Sequence, residues 1–514
     1  MARAKDSSDD SAKPPGSDFL QLDIVDAPTG GLSDWLAGQL RLAISDGRLP
    51  LGSKLPATRV LAADLRVSRG VVTETYQRLT EDGHVVGRGR AGTIVVAAPL
   101  AAPAGRTSRK PVAGSGPALA AAGSDRGTRP GAPEPRALFA TEPGSDIFDA
   151  LREAPARIDL APGVPDLAAF PRTAWLRAER VVLNELTPAD FRYGDPSGTP
   201  ALRVAVAHWL ARNRGIRADP AEVVIVAGVA QSVGLLAQVL GRAGISEVAV
   251  EEPGSLGVRQ QLTNWGMATP PVAVDAEGIR VDELRASGVP AALLTPAHQF
   301  PTGVVLDGER RRELMRWAGD GGLVIEDDYD AEHRYDRPPV PALHAMLPEQ
   351  VCYTGSVSKL LAPALRLGWL LVPKRYLADV RAAKRTADLG NPVLAQLVLA
   401  RLMESGEMER QLRFVRRHHR RRRDAMIEAV ARHLPGASVH GAAAGLHLMI
   451  TFDGGFSDAD FAGAALARGV KVQPLSWHAQ RPHQPGLVLG YAANTTTEIN
   501  EGVAILGEIW RTLR

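Results

Sequence analysis

From about Ile158 onward the chain repeats short, uninterrupted apolar runs: Val223–Ala227, Val248–Val250, Ala291–Leu294, Leu323–Ile325 and Val351–Tyr353. Amphipathic or glycine-bounded segments separate them. A strand that is apolar at successive positions buries both of its faces, and strands alternating with helices are covered by those helices on either side. The pattern predicts an α/β body over residues 157–514, with a mostly parallel sheet and helices on both faces. No internal repeat is evident.

A chain of 514 residues is too long for one ordinary domain. Residues 98–156 carry nine prolines and seven glycines among many alanines. Such a segment buries too little apolar surface to offset its ordering entropy, so it reads as a linker. As a flexible coil it would span on the order of 45 Å, enough for a small domain ahead of it to dock on a different subunit. Residues 1–18 are polar, lack the apolar stretch of an export signal, and read as a disordered tail. No run approaches the roughly 18 apolar residues of a membrane span. The single cysteine, Cys352, excludes a disulfide within the chain and makes a cysteine-based metal site implausible. We expect a cytoplasmic, reducing location, no metal, and a buried Cys352 acting as a small hydrophobe.

Residues 19–97 form the compact unit before the linker, an α+β winged helix-turn-helix. Leu32, Trp35, Leu36, Leu40 and Ile44 share one helical face. Gly47 ends that helix, and Thr58 is placed to cap the next, Arg59 to Leu65. Arg66-Val67 makes a tight turn, and Ser68 caps a third helix. There Val72, Tyr76 and Leu79 face the core while Arg69, Thr73 and Gln77 share another face, and Gly83 stops the helix. Val85-Val86 and Thr93–Val96 read as a hairpin whose tip carries Arg88 and Arg90. A recognition helix enters the major groove N-terminus first, which directs Ser68, Arg69 and Thr73 to base edges and phosphates. Arg88 and Arg90 suit phosphate or minor-groove contact. Leu32–Ala97 holds nine Lys/Arg against six Asp/Glu, a modest local positive excess. Leu55-Pro-Ala-Thr-Arg59, Leu61-Ala, Val67-Ser-Arg69, Tyr76, Leu79, Gly83 and Gly92-Thr93 resemble the GntR family of bacterial regulators in order and spacing. The resemblance implies double-stranded operator DNA as partner, contacted by Arg59, Ser68 and Arg69.

Tyr353-Thr-Gly-Ser-Val-Ser-Lys359 follows a strand with small residues and an amine, and Arg366 stands seven positions on. Upstream, Leu323–Asp330 ends a strand in carboxylates and a tyrosine. A lysine after a strand is ordinarily a surface residue, and an acidic run is ordinarily a solvated loop; their order together carries the reading. Pyridoxal 5'-phosphate (PLP) needs an amine for its Schiff base, an acid for its pyridine nitrogen and donors for its phosphate. Lys359 supplies the amine, Asp327 the acid, Tyr329 a bond to the ring oxygen, and Ser356, Ser358 and Arg366 the phosphate donors. Tyr193-Gly-Asp-Pro-Ser-Gly198 looks like the glycine-rich loop near a dimer interface, with Tyr193 as a further cofactor contact. The arginine-rich run Arg416–Arg423 reads as a solvated helix face or a subunit contact.

The body resembles fold-type I PLP-dependent aminotransferases. Head and body together resemble the MocR subfamily of GntR regulators, through Ala297–Gly303, Glu326–Glu332 and Ala443–His447. The resemblance implies a homodimer in which each head docks on the partner's body, and a regulator that senses PLP, alone or with an amino compound. Three departures bear on catalysis. Val229 and Ala230 stand where relatives carry polar phosphate contacts, and Ser255 stands where a ring usually stacks on the pyridine. Val488 replaces the arginine that grips a substrate carboxylate, and orientation is a large part of catalysis. A PLP-responsive regulator is therefore the expected function, with a working aminotransferase carrying a DNA tether as the alternative.

Overall fold

A computed structural model of the chain describes residues 27, 32–45, 48–81, 84–87, 92–96, 137–330, 332–335 and 341–513. They divide between two compact units, taken in turn.

The first unit has helices α1 (Leu32–Ser45), α2 (Thr58–Asp64) and α3 (Arg69–Glu81), then strands β1 (Val85–Gly87) and β2 (Thr93–Val95). Leu36, Leu40, Ile44, Leu61, Val72, Tyr76, Leu79, Val85 and Val95 form its core, so the helical spacing read from the sequence is the buried face. Tyr76 reaches across and donates to the Pro56 carbonyl at 2.8 Å. The two strands pair antiparallel with Val86 opposite Ile94. Ser68 caps α3, its hydroxyl accepting from the Val71 amide at 3.4 Å. Thr58 does not cap α2. It is the first helical residue, and Ala57 holds the cap position without a side-chain bond. Gly47, Gly83, Arg88 and Arg90 lie outside the described residues.

The body contains a large mixed sheet. Its strands are β3 (Val224–Val226), β4 (Ala249–Glu252), β5 (Pro271–Asp275), β6 (Gly278–Ile279), β7 (Ala291–Leu294), β8 (Leu323–Asp328), β9 (Val351–Ser356) and β10 (Gly368–Leu371). The spatial order is β3-β10-β9-β8-β7-β4-β5-β6. Strands β9, β8, β7, β4 and β5 are parallel neighbours; β10 and β6 run antiparallel. Alternation along each strand feeds two different cores. Val224, Val226 and Cys352 pack on one side of the sheet, while Ile225 and Tyr353 pack on the other. That two-sided burial is why the strands read as continuous apolar runs. Cys352 is fully buried, and burial pushes its thiol up to about 12.

A smaller antiparallel sheet follows, in which β11 (Ala437–His440), β12 (His447–Phe452), β14 (Gly486–Gly490) and β13 (Gln473–Pro474) are neighbours in that order. Phe452, Phe461 and Trp510 are part of the core beneath it.

This core also corrects the expected linker. Residues 98–136 lie outside the described residues, but at the end of the predicted linker Ala137–Phe139 forms a helical turn and Ile147–Glu153 an α-helix. Phe139, Ile147 and Leu151 are buried in the small-sheet core, with Phe139 stacked on Trp477 at 5.1 Å. Averaging proline and glycine over the whole stretch concealed a short amphipathic pattern at its end. The arginine-rich run also differs from a single solvated face. Arg422 and Arg423 are buried, Arg422 pairs with Asp166 at 2.8 Å, and Arg416 donates to the Glu332 carbonyl. Among the described residues no helix is long and apolar enough to cross a membrane.

Candidate functional site

A cavity of about 390 Å³ opens where β7, β8 and β9 end. Parallel strands expose ligand-accessible chain at their carboxyl ends, and this is where a switch in connection leaves a crevice. Thr295, Asp327 and Ser356 come to it from those ends, and Lys359 from the turn after β9. Lys359 is half-buried and its Nζ donates to the Gly163 carbonyl at 2.5 Å. Burial lowers its pKa, opposed in part by Asp330 and Asp327. A lysine amine so placed is closer to its nucleophilic free-base form than one in water.

Strand alternation assigns different tasks to three consecutive carboxylates. Glu326 accepts from the Leu343 and His344 amides at 3.0 and 3.1 Å. Asp328 holds the buried Arg214 at 2.6 Å and accepts from Tyr353. Asp327 points the other way into the cavity wall, and its Oδ1 is buried without any partner. Burial first, then Asp328 and Asp330, push its carboxyl up to about 8.

Tyr329 lines the same cavity and donates to the His298 carbonyl at 3.1 Å. The His298 ring sits 3.0 Å from both the Tyr329 hydroxyl and Asp330 Oδ2 through Nδ1. His298, Asp330 and His447 bring donor atoms within 4.8 Å of one another. We read them as a hydrogen-bonded support, because Nδ1 of His298 is committed to Asp330 and Nε2 of His447 to the Pro301 carbonyl at 3.2 Å.

At the other end, Ser356, Ser358 and Arg366 line the cavity together with Val229 and Ala230. Arg366 adopts a left-handed backbone (φ 49°), and its guanidinium donates to the Ala227 carbonyl. Gly228 (φ 87°) begins the helix Val229–Arg242 with no side chain, where a Cβ would lie 3.4 Å from Arg366 Nη1. The opening N–H groups of this 14-residue helix lack intrahelical partners, which makes such a turn suited to anions.

Tyr193 is the residue of the expected set that the cavity does not gather. It is 92% exposed and lines no part of it, because the loop that carries it lies at the surface of its own chain. Ser255 does line the cavity and caps the helix Leu256–Asn264. Val488 is buried against Met449, Leu475 and Phe300. Sequence reasoning missed Phe148, Phe300, His447, Gln473 and His478, all lining residues. Phe300 and His447 lay inside quoted motifs without a role. Phe148 was hidden in the supposed linker, and Gln473 and His478 carried no local signal.

In the first unit Arg59, Ser68, Arg69 and Thr73 are all exposed, and Arg69, Thr73 and Gln77 share the outer face of α3. Arg78 ties that helix to α1 through Asp34, and Ser33 donates to Glu74 at 3.0 Å.

Comparison with known proteins agrees with both halves. Residues 32–95 match the model of bacterial regulatory proteins of the gntR family, and residues 156–504 match aminotransferase class I and II. The chain is 31% identical to the probable rhizopine catabolism regulatory protein MocR of Rhizobium meliloti, over 90% of this chain and 91% of that one. It is 29% identical to the pyridoxine biosynthesis transcriptional regulator PdxR of Corynebacterium glutamicum, over 89% and 91%. The multiple substrate aminotransferase of Thermococcus profundus superposes with a TM-score of 0.66 at 26% identity, covering 73% of this chain and 96% of that one. A GntR-type DNA-reading head and an aminotransferase class I and II body, joined in one chain as in MocR and PdxR, place this protein in the MocR subfamily of GntR transcriptional regulators.

Proposed function

We propose that this regulator sets its affinity for operator DNA by holding PLP at Lys359, alone or together with an amino compound. The observation that carries the proposal is the pairing of the Lys359 amine with a buried, unpartnered Asp327 oxygen in one cavity. Such an oxygen is costly to leave unpaired, and the protonated pyridine nitrogen of PLP is the partner that would satisfy it. The bound cofactor would supply an aldehyde that captures primary amines.

This chain's own groups divide the remaining work. Lys359 Nζ, with its pKa lowered by burial, is the anchoring amine. Tyr329 presents a hydroxyl steadied by His298. Ser356, Ser358, Arg366 and the helix start at Val229 and Ala230 receive the phosphate, Arg366 by a charge-assisted contact. Tyr193, exposed on its own chain, would enter the cavity of a second copy in a homodimer whose heads dock on the partner's body. The exposure of Phe191 (67%) beside it supports an unfilled contact at that loop. Arg59, Ser68, Arg69 and Thr73, with Arg88 and Arg90 on the wing, would contact paired operator half-sites. A DNA partner implies a cytoplasmic location. Physiological turnover as an aminotransferase is disfavoured, since Val488 offers no charge to orient an α-amino acid.

Titration of PLP into the protein–operator complex tests the proposal, with wild type and Lys359→Ala compared. Wild type should show the cofactor's visible absorption band and a shift in operator affinity, and the variant neither. An operator affinity that ignores PLP, or an unchanged band in the variant, would overturn it. Robust multiple-turnover transamination of common amino acids would instead favour the enzyme reading.

A further inference from the structure

Beyond the groups assigned to the cofactor, the cavity wall includes Phe148, Phe300, Leu446, His447, Gln473 and His478, with Ser255 and Thr295, whose hydroxyls already bond the Val258 amide and Glu251. Among the described lining residues, positive side chains are limited to Lys359 and Arg366, and both are taken by the cofactor reading. Arg259 is not a lining residue, and its guanidinium donates to the Trp477 carbonyl at 2.6 Å.

The two imidazoles add no charge. Burial is the main cause that pushes His447 down to about 3, with His298 beside it. Burial likewise takes His478 to about 3, with Arg259 adding. Their tautomers follow from their partners. His447 donates through Nε2 to the Pro301 carbonyl at 3.2 Å, which leaves Nδ1 as an acceptor. His478 Nδ1 accepts from the Leu256 amide at 3.4 Å, so its Nε2 carries the proton and donates to Gln473 Oε1 at 3.1 Å. Gln473 thereby spends its carbonyl oxygen inward and keeps its NH₂ as a donor. Phe300 stands edge-on to His478 at 5.0 Å and tilted against His447 at 4.9 Å, and Val488 is buried in the apolar cluster with Phe300.

A wall of this kind offers neutral hydrogen-bonding groups, among them the His447 acceptor and the Gln473 donor, and aromatic faces, with no countercharge. A carboxylate brought there would exchange its hydration for neutral hydrogen bonds only, with no positive charge to compensate its own. A hydroxyl would meet both an acceptor and a donor. Resting on the cofactor reading above, we propose that the second ligand of this pocket is a hydroxyl-bearing primary amine without a carboxylate, and not an amino acid. Gln473 and His447 are the residues that select it.

The test uses the full-length protein loaded with PLP and two matched pairs of amines. L-alaninol is compared with L-alanine, and 3-amino-1-propanol with β-alanine, by isothermal titration and by their effect on operator affinity. Each alcohol should bind at least about ten-fold more tightly than its acid, the scale of an uncompensated polar burial. Gln473→Ala should weaken alaninol by about five-fold and leave alanine little changed, as expected for one neutral hydrogen bond. Acids that bind as well as the alcohols, or no binding by either, would overturn the inference while leaving the cofactor-responsive regulator intact. Failure of wild type to take up PLP in a Lys359-dependent way would overturn both.

Discussion

Asp327→Asn separates two effects of one buried carboxyl. In the protein without cofactor, Asp327 is fully buried, its Oδ1 has no partner, and its pKa rises from 3.8 to about 8. The folded state therefore keeps a proton that the unfolded chain releases. Below about pH 4 both states are protonated and the group contributes nothing. Between about 4 and 8 the wild type loses stability as pH rises, and above 8 the loss is constant. Retaining a proton across that interval corresponds to roughly 6 kcal/mol at most, which water entry and local relaxation reduce to roughly 3. Asparagine is a neutral isostere of the protonated acid. The variant should match wild type near pH 4 and become more stable by a few kcal/mol by pH 8. With PLP present the sign reverses, because a charge-assisted bond of roughly 1.5–3 kcal/mol is lost and cofactor affinity falls about ten- to a hundred-fold. Urea unfolding of the cofactor-free protein at several pH values reads the first effect. Tryptophan fluorescence follows the body, since seven of the eight tryptophans lie beyond Trp35. A cofactor titration reads the second. A stability gain independent of pH, or a loss at pH 8, would refute the assignment of this cost to Asp327.

Arg69→Ala removes an exposed guanidinium from the N-terminal turn of α3. It should weaken operator binding by about 1–3 kcal/mol while the cofactor spectrum stays unchanged, and loss of both would contradict the division into two units. Gly445→Ala places a Cβ into the His298 ring and 2.8 Å from Asp330 Oδ2, at a φ of 81°. It should cost about 3 kcal/mol or more, measured by chemical denaturation, and a cost under about 1 kcal/mol would argue against a rigid His298–Asp330 support.

Much of this protein was legible in local pattern. Apolar strands such as Val351–Tyr353 announce burial on both faces, because side chains alternate with a period of two whatever the rest of the chain does. The α3 face of Arg69, Thr73 and Gln77 follows from helical spacing in the same way. Asp327, Ser356 and Lys359 sit at or just after strand ends and Arg366 just ahead of the next strand, where order along the chain is also order in space. The failures have the opposite character. Mean composition blurred Phe148 into a linker, although Ile147 and Leu151 beside it bury a face that only the small-sheet core defines. The run Arg416–Arg423 looks uniform in sequence, yet the helix turns Arg422 toward Asp166 and leaves Arg420 and Arg421 in solvent.

By itself the sequence determined the two-part plan, the lysine amine that lies in the pocket and the uncharged side chain at Val488. Tertiary structure alone decided which of three adjacent carboxylates stays unpaired, that Tyr193 faces away from its own cavity, and that His447, Gln473 and His478 close the wall. The reason is physical: spacing along a chain encodes which face a residue shares with its neighbours, whereas a cavity is lined by segments hundreds of residues apart that meet only through packing.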